Sequence, residues 1–90
     1  MIRLNSAIQL RDSADRERLL DTLTRLCEVS LHEKGTVDYN AFASIVYSDR
    51  FIISGTFRDH KAFEEHAAAT RELKEQVEKV ATLTYEVFHF

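Results

Sequence analysis

The stretch Leu31-His32-Glu33-Lys34-Gly35-Thr36-Val37-Asp38-Tyr39-Asn40-Ala41-Phe42 decides the fold, because the hydrophobic period changes inside it. Upstream, Leu19, Leu20, Leu23, Leu26, Cys27, Ser30 and Leu31 recur at steps of three and four, the stripe of an amphipathic helix. Asp12 and Ser13 offer capping oxygens, and Asp15 adds negative charge to the first turn. The expected helix runs over about 13–34 and ends on Gly35 as a left-handed cap. Downstream the period falls to two. Val37, Tyr39, Ala41, Ala43, Ile45 and Tyr47 alternate with Asp38, Asn40, Phe42, Ser44 and Val46, as in a half-buried strand.

Working outward, residues 2–10 alternate in the same way, with Ile2, Leu4, Ile8 and Leu10 on one face and Arg3, Asn5, Ala7 and Gln9 on the other. Ser48-Asp49-Arg50 supplies a turn, and residues 51–57 make the next strand of a hairpin. Asp59 is placed to cap a second helix with Ala62, Phe63, His66 and Ala67 inward, and Thr70 to cap a third with Leu73, Val77 and Val80 inward. Residues 82–90 read as the last strand. The order strand, helix, strand, strand, helix in two pieces, strand predicts one α+β domain over 1–90. Its expected form is a ferredoxin-like four-stranded antiparallel sheet with helices on one face.

The second sheet face is expected to carry Ala7, Phe42, Val46, Ile52, Phe88 and Phe90 among Asn5, Asn40, Ser54 and Thr84. That mixture is too apolar for water and too polar for a monomer's core, which predicts a homodimer packed sheet on sheet.

Composition narrows the function. Twelve Lys and Arg against fifteen Asp and Glu give a net charge of −3, which argues against nucleic acid as a partner. No stretch approaches the ~20 apolar residues of a membrane span. The single cysteine, Cys27, excludes an intrachain disulfide and fits a cytoplasmic address. No metal site is expected, since His60 and His66 are six apart and fall on different helix faces.

Glu33-Lys34-Gly35-Thr36-Val37-Asp38-Tyr39 resembles the E-x-G-x-x-x-Y motif of the antibiotic biosynthesis monooxygenase family. Phe57-Arg58-Asp59-His60-Lys61-Ala62-Phe63-Glu64-Glu65-His66 resembles its W-x-D-x-x-A-x-x-x-H segment, with Phe57 for the aromatic and Gly55 where an acidic residue is usual. The resemblance spans nearly the whole chain. It implies a dimeric α+β barrel and cofactor-independent oxidation of a small aromatic quinol or anthrone by O₂. A related branch, the haem-degrading oxygenases, uses an asparagine, a tryptophan and a histidine; this chain has no tryptophan.

Among individual residues, His66 is the candidate base: an imidazole on an apolar helix face can take a phenolic proton. The competing reading is a core-edge histidine bonded to a carbonyl or to Tyr39. Tyr39, Phe57 and Phe63 are the candidate substrate-binding residues, set against ordinary roles in a sheet core. The alternative function is a non-catalytic dimeric small-ligand-binding or scaffold protein of the same fold.

Overall fold

The computed structural model describes all 90 residues, Met1–Phe90. Strand β1 (Ile2–Leu10) leads through a short 3₁₀ turn (Ser13–Asp15) into helix α1 (Arg16–Leu31). Strands β2 (Thr36–Ala43) and β3 (Arg50–Phe57) follow, then helices α2 (His60–Ala69) and α3 (Arg71–Val80), and strand β4 (Ala81–His89). The four strands form one antiparallel sheet in the order β2-β3-β1-β4. This is the ferredoxin-like arrangement.

Register follows from the alternation in β1. Ile2, Leu4, Ser6 and Ile8 pair with Phe57, Gly55, Ile53 and Phe51 of β3. Leu4, Ser6 and Ile8 also pair with Val87, Tyr85 and Leu83 of β4. A one-residue slip would turn all these side chains over, so the buried face fixes the pairing. Leu19, Leu23 and Leu26 of α1 and Val77 and Val80 of α3 complete the core against it.

Three boundaries differ from the sequence reading. Helix α1 stops at Leu31, which is exposed, and no residue of the chain has a positive φ, so Gly35 is not a left-handed cap. Gly35 is needed for another reason: a Cβ there would lie 2.2 Å from the Cβ of Ala62 in α2. In β2, Val37 is an exposed bulge rather than a partner of Tyr39, because Thr36 pairs with Phe57 and Asp38 with the adjacent Thr56. The strand then ends at Ala43, short of Tyr47. The Ser44 hydroxyl accepts the backbone N–H groups of Val46 (3.1 Å) and Tyr47 (3.0 Å), curling the chain into a loop that leaves Ile45 and Val46 in solvent.

The outer face of the sheet is uncovered within the chain. Phe42 and Ile52 are paired neighbours, 56% and 52% exposed, and Ile52 also pairs with Ala7. Beyond them the Arg3 guanidinium donates to the hydroxyls of Thr56 (3.0 Å) and Ser54. Phe88 pairs with Arg3 on β4. Phe90 donates its N–H to the Met1 carbonyl at 2.9 Å, which holds the aromatic terminus in place. No helix is long and apolar enough to cross a membrane.

Candidate active site

Asp59 starts the site. Its Oδ1 accepts the N–H of Ala62 at 2.8 Å, fixing the phase of α2 so that Ala62, Phe63, His66 and Thr70 turn toward the sheet. Ala67, expected inward, is exposed, and Thr70 takes the next inward step. Thr70 does not cap α3 with its side chain. Its hydroxyl and its N–H both donate to the His66 carbonyl, at 2.7 and 3.0 Å, and so close α2 around the histidine.

The imidazole of His66 is 4% exposed and lies between two aromatic rings, with centroids 4.6 Å from Phe57 and 5.3 Å from Tyr39. Phe63 packs edge-on against Phe57 at 5.5 Å. The four residues singled out from the sequence are therefore one cluster. His66, Tyr39 and Phe63 line a cavity, whereas Phe57 is wholly buried behind them and backs the imidazole.

Two partners of His66 were not legible as such. Nδ1 stands 2.9 Å from Glu33 Oε1 and 3.4 Å from Ser30 Oγ. Glu33 is half-buried in the turn after α1, held by its own N–H to the Ser30 carbonyl and its carbonyl to the Thr36 N–H, both 3.2 Å. An ionised carboxylate can only accept, so the proton of a neutral His66 sits on Nδ1 and the lone pair on Nε2. Nε2 has no hydrogen-bond partner in the protein. The glutamate of the E-x-G motif was the available signal, but thirty-three positions separate it from His66, and only the fold brings them together.

Tyr39 is also nearly inaccessible, and its phenol is pushed up to about 12. Burial is the main cause; Cys27 and Glu33 push the same way, and a hydrogen bond with Ser30 opposes them. Tyr39 is thus a neutral donor at ordinary pH, not a base. Gly55 explains its seat. A Cβ at residue 55 would lie 2.8 Å from the Tyr39 ring, so the glycine in place of an acidic residue makes room for the tyrosine. Burial raises the Cys27 thiol too, which keeps it protonated and unreactive.

The cavity has a volume of about 510 Å³ and lies between the sheet and α2 and α3. Leu4, Ile53, Val77 and Leu83 make it mainly apolar, and its polar groups come from few residues, with His66 and Tyr39 on one wall. Such a space suits a small organic molecule. Of the asparagine, tryptophan and histidine set, only the histidine is here. Asn5 is on the outer face, paired with Ser54 and Glu86. His60 is exposed and pairs with Glu64 at 2.8 Å, away from this cluster.

No family profile and no curated protein matches the sequence. Solved structures do match the fold. A conserved protein of unknown function from Bacteroides thetaiotaomicron superposes with a TM-score of 0.92 at 26% identity, covering 99% of this chain and 96% of that one. A candidate antibiotic biosynthesis monooxygenase from Deinococcus radiodurans gives 0.91 at 14% identity, covering 100% and 92%. SnoaB, a cofactor-independent oxygenase from Streptomyces nogalater, gives 0.86 at 11% identity, covering 99% and 91%. This chain has the fold of the antibiotic biosynthesis monooxygenases.

Proposed function

We propose that the protein is a cofactor-independent monooxygenase that oxidises a small aromatic quinol or anthrone with O₂, working as a homodimer in the cytoplasm. One observation carries the reading: His66 lines an apolar cavity with its Nε2 unpartnered while Glu33 holds Nδ1. The likeness to SnoaB supports it.

In this reading Nε2 removes the acidic proton of the bound phenol or enol, and Glu33 stabilises the imidazolium that results. The electron-rich anion gives one electron to O₂, and the two radicals recombine to a peroxide anion, which takes the proton back from His66 and becomes a hydroperoxide. For an anthrone, loss of water from that hydroperoxide then leaves a carbonyl where the ring carried CH₂. One oxygen atom stays in the product and the other leaves as water. The apolar walls keep bulk water from the intermediates, and the Tyr39 hydroxyl orients the substrate oxygen. The uncovered Phe42 and Ile52 support the dimer.

Oxygen-electrode measurements with a panel of hydroquinones and anthrones test the reading. His66→Ala is expected to lower turnover by about 10²–10⁴ while leaving the fold intact. A second reading, a binding protein that keeps the barrel without the chemistry, is favoured by Phe57, which lacks an indole N–H. It would be correct if the panel binds but no oxygen uptake exceeds buffer.

A further inference from the structure

The mouth of the cavity differs from its interior. The buried lining is mainly aliphatic and aromatic, with Ser6, His66 and Thr70 as its polar members, but the exposed rim carries Arg71 and Lys74 of α3 with Tyr85 of β4 beside them, and Glu64 of α2. The Lys74 ammonium is 5.0 Å from the centroid of the half-exposed Tyr85 ring, which keeps the charge at the rim rather than extended into solvent. The ion pairs between side chains within 4.0 Å are His60–Glu64 and His66–Glu33. Neither rim cation has a carboxylate within 4.0 Å, although Glu75 and Glu78 lie four residues further along α3 from Arg71 and Lys74. Glu64, the one carboxylate lining the cavity, is engaged by His60 at 2.8 Å.

Two free cations at the opening of an apolar cavity, on a chain of net charge −3, are a selective feature. An anion held there, with low-dielectric wall on one side, feels the cations more strongly than it would in water. We propose that the cavity takes an aromatic acid: a fused-ring phenol whose hydroxyl points inward to His66 and whose carboxylate sits at the rim between Arg71 and Lys74. This rests on the reading that the cavity holds an aromatic substrate, and it adds the charge that substrate carries. Arg71 and Lys74 are then specificity residues, and their distance in sequence from the two family-like motifs explains why neither motif points to them.

Titration calorimetry with 6-hydroxy-2-naphthoate and its methyl ester separates the two claims, because the probes share their ring system and phenol and differ in the charge. The wild type is expected to bind the acid at least tenfold more tightly, with the preference shrinking in high salt. Arg71→Gln combined with Lys74→Gln is expected to erase the preference by weakening the acid alone. Both residues are exposed, so folding is checked by urea midpoint and is expected to hold. His66→Ala is expected to keep the preference. Equal binding of acid and ester, or a preference that survives in the double variant, overturns the anion site while leaving the cavity reading intact. Failure of both probes to bind overturns both.

Discussion

The two faces of the sheet are built from the same strands and differ in how far one chain completes them. On the inner face, residues of β1 and β3 meet α1 and α3 and disappear from solvent, and even the polar His66 and Ser30 are enclosed with partners. On the outer face, Arg3 finds Thr56 and Ser54, but Phe42 and Ile52 have only their strand neighbours beside them and stay about half exposed. The inner face carries the cavity, and the outer face stays uncovered within the chain. Alternation in a strand assigns residues to faces, but only the sequence of the helices decides which face is finished.

The largest expected effect lies on the outer face. If a second copy covers it, Phe42→Glu buries an unpaired carboxylate in each half of the interface, which costs several kcal/mol. Sedimentation at micromolar concentration is expected to show a wild-type dimer and a folded monomeric variant. A wild-type monomer would remove the association role from that face.

On the inner face the cost is to folding itself. Phe57→Ala is expected to destabilise by about 3–5 kcal/mol and Leu23→Ala by about 2–5 kcal/mol, since both are buried in the core. Ile52→Ala, on the opposite side of the same sheet, is expected to change the unfolding midpoint of the monomer by no more than about 0.5 kcal/mol. Urea titrations of the three variants compare the faces directly. Similar losses would mean that the outer face is covered within the chain.

A smaller effect sharpens the role of glycine at the join between α2 and the sheet. Gly35→Ala drives a methyl group into Ala62, and overpacking of this kind costs about 1–3 kcal/mol. Had Gly35 been a left-handed cap, the cost would come from backbone strain instead, and the combination with Ala62→Gly would not relieve it. Recovery of stability in that double variant, read by thermal melting, is the expected result.

A further effect is on pH dependence. The folded state holds the Tyr39 proton up to about 12, whereas the unfolded chain releases it near 10. The unfolded state therefore binds fewer protons in that window, and stability falls as pH rises from about 10 to about 12. Tyr39→Phe is expected to remove about 2 kcal/mol of this alkaline loss, measured as urea midpoints across the range.

These contrasts also show what the sequence made legible. The alternation of β1, the α1 stripe and the Asp59 cap are local patterns, and each formed as read, apart from the exposed end at Leu31. The bulge at Val37 and the loop after Ala43 were not legible, because a period-two pattern looks the same whether or not a residue is paired. Tyr47 looked like strand until the Ser44 hydroxyl competed for its backbone. The site was half legible. His66, Tyr39, Phe57 and Phe63 stood out by type and spacing, but the Glu33 partner and the cations at the rim depend on contacts between elements distant in the chain.

The central claim is that Glu33 turns His66 into an acceptor facing the cavity. Nitrogen-15 spectra of the histidine rings, with the His66 signals assigned by comparison with His66→Gln, decide this. A protonated Nδ1 and a bare Nε2 whose signal moves when a hydroxynaphthoate is added are expected, with loss of that fixed tautomer in Glu33→Ala. A proton on Nε2 in the wild type, or a bare Nε2 indifferent to the added phenol, would contradict it.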